Sequence, residues 1–78
     1  MMKENIQCTV KELWKSILNV KKTSNNDNFF EQGGTSVMAI QLIFQISEST
    51  NRTIAEFEFI KNPTLGNLTS LVENSQTE

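Results

Sequence analysis

Histidine is missing from all 78 residues. Without an imidazole there is no His-based triad, no His general base and no His metal ligand. There is one cysteine, Cys8, which excludes an internal disulfide and a multi-thiolate zinc site. Both gaps fit a reducing, cytoplasmic setting. The opening MMKENIQCTV has no apolar core of the kind a signal peptide needs. No apolar run approaches membrane-spanning length, so no membrane partner is expected. The triplets Asn51-Arg52-Thr53 and Asn67-Leu68-Thr69 are then expected to stay unglycosylated. Nor is there a Lys/Arg stripe, and with a net charge of −2 nucleic acid is excluded as the main partner.

What remains has the size of one domain, spanning 1–78, with its core over about 6–73 and a disordered tail at 74–78. An apolar content of 37% suffices for a small helical bundle but leaves little room for a deep catalytic cleft. Such a core gives a net stability of roughly 3–5 kcal/mol.

Ile6, Val10, Leu13, Trp14, Ile17 and Leu18 recur at helical spacing and predict a first amphipathic helix. Thr9 and Glu12 have capping-box spacing, although Ile6 extends the stripe and allows a start a turn earlier, near Asn5. Residues 19–35 carry no sustained period, and Thr23, Ser24, Asn25, Asn26, Asp27 and Asn28 are turn formers. So long a loop is uncommon in a small domain unless it has a function. At least one of Phe29 and Phe30 is expected to plug into the core and tie the loop down. Gly33-Gly34 then permits positive φ, and a second helix follows from Ser36 to about Ser49, capped by Thr35 or Ser36 itself.

On that helix Ala39, Leu42, Ile43 and Ile46 form the core stripe at about 100° per residue. Met38, Gln41, Gln45 and Glu48 lie on the opposite, wet side. Val37, Ile40 and Phe44 belong to neither group. They are either the edge of a wide core stripe or a partner-docking patch beside Ser36. Residues 49–53 read as a turn and residues 55–60 as a short third helix, stopped at Asn62-Pro63. Thr64 caps a fourth helix whose buried stripe is Leu65, Leu68, Leu71 and Val72. Gly66 should weaken it by roughly 1 kcal/mol relative to Ala. The fold class is therefore all-α, a small four-helix bundle with a long first loop.

Ser36 is the candidate site. A serine is a nucleophile only when something takes its proton. No histidine exists and no lysine lies within a turn of it. GGTS also lacks the spacing and lysine of a P-loop. The reading left is that of an acceptor, modified by another enzyme. A helix N-terminus suits a phosphodiester, offering free N–H groups and a positive dipole end.

The run DNFFEQGGTS before an apolar helix resembles the thiolation site of the peptidyl carrier domains of nonribosomal peptide synthetases. The family pattern is roughly D-N-F-F-x-L-G-G-x-S-L. Leu13-Trp14 with Ile17-Leu18 resembles its first-helix signature, and Phe59-Ile60-Lys61-Asn62-Pro63-Thr64 its L-F-x-N-P-T. The three motifs lie in order over about 10–72. The resemblance implies an acyl-carrier-type bundle that is not an enzyme. It makes Ser36 the attachment site of 4′-phosphopantetheine, drawn from coenzyme A. Asp27, Phe29, Phe30, Gly33, Gly34 and Thr35 would shape the loop presenting it, and Val37 and Ile40, with Phe44 beside them, would meet partner enzymes.

The expected partners are a phosphopantetheinyl transferase bringing its own Mg²⁺, an adenylation enzyme, and condensing or tailoring enzymes acting in trans on a freestanding monomer. Gln32 stands where the family usually has Leu before Gly-Gly, and Val37 where it has Leu after the serine. Glu56 and Phe57 exchange the usual apolar and polar order in the third helix. Thr35 before the serine, and the absence of charge from Ser36 to Ser47, favour a peptidyl cargo over the fatty-acyl or polyketide cargo of acyl carrier proteins. The third reading is an unmodified helical interaction module.

Overall fold

The computed structural model describes residues 5–75. Four helices make up its regular structure: α1 (Ile6–Leu18), α2 (Ser36–Thr50), α3 (Glu56–Lys61) and α4 (Leu65–Glu73). The helix α1 packs against both α2 and α4, and the short α3 leans on α4.

The first helix starts earlier than its capping-box pattern indicates. Asn5 is the N-cap, its side chain accepting from the Cys8 N–H at 3.0 Å. Thr9 lies one turn inside, its N–H bonded to the Asn5 carbonyl, and Glu12 pairs with Lys15 at 3.2 Å instead of reaching back. The Ile6 stripe outweighs the local capping pattern because it packs against the core. At the other end Asn19 adopts φ 57°. The Asn19 and Val20 N–H groups bond to the Ser16 and Lys15 carbonyls, the paired bonds of a Schellman ending.

The second helix runs through Thr50, so the turn expected from residue 49 begins at Asn51, again left-handed at φ 57°. The Thr50 hydroxyl is buried and donates to the Ile46 carbonyl. Helix α3 is shifted by one residue from expectation, with Ala55 at its N-cap. Helix α4 is capped by Thr64, which accepts from the Asn67 N–H at 3.2 Å.

The aromatic centre of the core joins three segments far apart in sequence. Trp14 meets Phe29 edge-on at 5.1 Å and Phe59 at 6.2 Å, and Phe29 meets Phe59 at 5.9 Å. Ala39, Leu42, Ile43 and Ile46 are buried with them, as are Leu65, Leu68 and Val72. Met38, assigned to the wet side, instead packs half-buried at the core's edge, and Leu71 does the same from α4.

The long loop is held by helix α4. The Leu65 and Gly66 N–H groups, which have no partner within their own helix, bond to the carbonyls of Asp27 and Asn25 at 3.2 and 2.9 Å. Asn28 and Thr64 form a single antiparallel bridge, and the Phe29 N–H reaches the Pro63 carbonyl at 2.7 Å. Gly66 is thus a close-approach residue: a Cβ there would lie 3.2 Å from both the Asn25 carbonyl and its Cβ. At the far end Arg52 donates from Nη1 to the Val72 and Ser75 carbonyls at 3.2 Å, a cation on the negative end of α4. Asn74 and Ser75, assigned to the tail, are bonded to Ser70 and Val72. Residues 76–78, and 1–4, lie outside the described residues.

Candidate functional site

Ser36 is the first residue of α2, and its side chain is exposed. Thr35 is the N-cap, accepting from the Met38 N–H at 3.2 Å, and its carbonyl takes the Ala39 N–H. The Ser36 and Val37 N–H groups sit in the first turn, where no carbonyl four residues back can meet them. No acidic side chain lies in that turn, so nothing there opposes an anion at the dipole's positive end.

A tight turn delivers the serine. The Asn28 side chain accepts from the Phe30 and Glu31 N–H groups at 2.9 and 3.1 Å. The Gln32, Gly33 and Gly34 N–H groups bond to the Asn28, Phe30 and Phe29 carbonyls. Phe29 is the core plug; Phe30 stays half-buried against it, ring centroids 5.7 Å apart. The two glycines serve different needs. Gly33 has φ +101° and open space around it, whereas Gly34 has no room, since a Cβ would run into the Phe29 ring and carbonyl.

Asp27 ties the start of the loop. One carboxylate oxygen accepts from the Ser24 N–H at 2.8 Å and the Thr23 hydroxyl at 3.1 Å. The Ser24 backbone bond, more than the hydroxyls, holds this carboxyl below its ordinary value, against a smaller opposing effect of desolvation. Gln32 adds a link that nothing local in the sequence announces. Its side-chain carbonyl accepts from the Trp14 indole at 2.8 Å, while its amide nitrogen faces the same Asp27 oxygen at 3.4 Å. A buried tryptophan needs an acceptor, but Gln32 lies 18 residues away, outside the reach of any periodic pattern.

The apolar residues beside the serine lie outside the core. Val37 is 64% exposed, Ile40 55% and Phe44 63%, which excludes the wide core stripe. Helix α3 adds Phe57 and Ile60, at 82% and 43%; they were missed as surface residues because the aromatic-rich run FEFI gives no clear period over so few positions. Between the two helices lies an open depression of about 260 Å³. It is lined by Ser36, Ile40 and Ile43 on one side and Phe57 and Ile60 on the other, with Glu56 the one charge. Site and patch therefore form one face. Among the described residues no group of three His, Cys, Asp or Glu side chains is placed to hold a metal ion, and no helix is long and apolar enough to cross a membrane.

Residues 8–72 match the family described as the phosphopantetheine attachment site. A Penicillium rubens N-(5-amino-5-carboxypentanoyl)-L-cysteinyl-D-valine synthase is 35% identical over 69 residues, 86% of this chain and 2% of the relative. A phenolphthiocerol/phthiocerol polyketide synthase of Mycobacterium tuberculosis is also 35% identical over 69 residues, 88% of this chain and 5% of the relative. The chain thus spans a few hundredths of these relatives' lengths. Among solved structures, a peptidyl carrier protein in complex with the phosphopantetheine transferase Sfp and coenzyme A superposes with a TM-score of 0.81. It has 22% identity, and the match covers 92% of this chain and 94% of that one. The McyG A-PCP structure with phenylalanyl-adenylate gives 0.77 at 27% identity, over 90% of this chain and 11% of that one.

Proposed function

The chain belongs to the phosphopantetheine attachment family, and from that premise we propose that Ser36 is its attachment residue and that its cargo is aminoacyl or peptidyl. The domain is a carrier and not an enzyme, and its prosthetic group is 4′-phosphopantetheine from coenzyme A. When bound, this group supplies a terminal thiol on a flexible arm, where cargo is held as a thioester. The observation carrying the proposal is the exposed Ser36 hydroxyl at a helix N-terminus free of acidic side chains.

The residues present fit the group. Ser36 Oγ forms the new bond to phosphorus as the adenosine part of coenzyme A leaves, and the hydroxyl proton goes to a base of the transferase. The Ser36 and Val37 N–H groups then face the anionic phosphodiester. Gly34, pressed on Phe29, keeps the approach to the serine low. Val37, Ile40, Phe44 and Phe57 give successive partners an apolar surface for weak, reversible docking. A tethered cargo has a high effective concentration for each of them.

The Sfp and McyG structures support a transferase and an adenylation enzyme as partners. Thr35 before the serine and the uncharged stretch from Ser36 to Ser47 support peptidyl cargo. The polyketide synthase relative favours a second reading, an acyl or polyketide cargo.

Incubation with coenzyme A and a promiscuous phosphopantetheinyl transferase should raise the intact mass by one phosphopantetheine, and Ser36→Ala should abolish the gain. No gain in the wild type, or an equal gain in Ser36→Ala, overturns the assignment. Loading of the modified protein by adenylation enzymes rather than acyltransferases then separates the two cargo readings.

A further inference from the structure

We propose that Gln32 is a positioning residue for Ser36, its side-chain amide fixing the orientation in which the Gly33-Gly34 turn hands the serine to α2. This rests on Ser36 being the modified residue. Gln32 is the last side chain upstream of the serine that ties the segment to another element. Gly33 and Gly34 have no side chain, and the Thr35 hydroxyl is spent on the Met38 N–H of its own helix. Gly33 at φ +101°, with open space around it, is a pivot that its own surroundings do not hold.

The clamp is directional. Oε1 of Gln32 faces the Trp14 Nε1–H at 2.8 Å, and Nε2 faces the Asp27 carboxylate at 3.4 Å. Reversing the amide would set two donors against each other and an oxygen against a carboxylate, so only one orientation is satisfied. Thr23 supports the arrangement with one hydroxyl proton, which can serve Asp27 at 3.1 Å or Gln32 at 3.3 Å. Trp14 belongs to α1, and Asp27 is held to α4 through its carbonyl and the Leu65 N–H. One amide therefore references the turn to two helices at once. An apolar side chain of similar volume fills the space but sets no direction, and it strands a buried indole N–H.

The test is the modification reaction under single turnover, with the carrier as the varied substrate. Gln32→Leu should lower the maximal rate by about tenfold, well within what a 1 Å misplacement of a reacting group costs. The carrier concentration giving half-maximal rate should stay within about twofold of wild type, because the docking face is untouched. Mere loss of stability acts in the opposite way, removing folded substrate and raising that concentration while leaving the maximal rate alone. Thr23→Val should have a smaller effect, and Thr23→Val/Gln32→Leu should be no slower than Gln32→Leu, because both act through one network.

An unchanged maximal rate in Gln32→Leu, or a change confined to the half-saturating concentration, overturns the proposal. If Gln32→Leu does not fold, Gln32→Met, equally unable to hydrogen-bond strongly but more adaptable, is held to the same criterion. A wild type that takes no phosphopantetheine overturns the Ser36 assignment and this proposal together. A modified wild type with an equally fast Gln32→Leu overturns this proposal alone.

Discussion

Gly33 and Gly34 are neighbours that fail in different ways when substituted. Alanine at Gly33 meets no atom within 4 Å but must hold φ +101°, a backbone cost of about 1–3 kcal/mol. Alanine at Gly34 keeps a tolerable backbone but drives its Cβ into the Phe29 ring. Phe29 is wedged between Trp14 and Phe59 and has no free direction in which to retreat, so overpacking there costs about 1–3 kcal/mol or more. Urea denaturation should show both variants destabilised. Only Gly34→Ala should also disturb the near-ultraviolet circular dichroism of Trp14, since only that change reaches the aromatic cluster. A Gly34→Ala protein with an unaltered aromatic signal would mean that Phe29 is not the residue Gly34 rests on.

At the level of whole elements, helix caps provide the sharpest check. Asn5→Ala should cost about 1 kcal/mol, whereas Thr9→Ala should cost only a few tenths, because Thr9 lies within the first turns of α1 and caps nothing. Thermal or chemical unfolding of the two variants decides between the caps, and the reverse order would restore the start at Thr9. The same pair shows what could be read from sequence and what could not. The stripe Ala39, Leu42, Ile43 and Ile46 was legible because a helix repeats about every 3.6 residues whatever its surroundings. So was the core role of Phe29, because a bulky apolar residue in a polar loop has few places to go. Thr9 and Glu12 misled because a capping pattern is local and permissive, while Ile6, a turn upstream, finds its partners only after the chain folds. Gln32 could be noted as unusual, but its role depends on Trp14, and only the assembled bundle brings them together. Phe57 was ambiguous for a related reason: a helix of six residues is too short for its own periodicity to say which aromatic faces in.

For the molecule as a whole, the unpaired apolar side chains gather on the face that holds Ser36. Val37, Ile40 and Phe44 come from α2, and Phe57 and Ile60 from α3, while the buried core lies beneath. Replacing Ile40 or Phe57 by Asp should leave the thermal midpoint and phosphopantetheine content nearly unchanged. Transfer of cargo to a downstream enzyme should fall by roughly tenfold, about 1.4 kcal/mol of docking energy. Unfolding of Ile40→Asp would instead make Ile40 a core residue, and transfer at the wild-type rate in both variants would remove this face from docking. The hydrogen bonds between the first loop and α4 have a further consequence, for anyone recombining such domains. Three backbone bonds, from Phe29 to Pro63, Leu65 to Asp27 and Gly66 to Asn25, make the segment ahead of the serine and the start of the last helix one piece of architecture. A graft that carries the serine and its helix but ends near Ile54 would transplant the acceptor without its foundation. The smallest cassette that keeps its own scaffold runs from Thr23 to Val72.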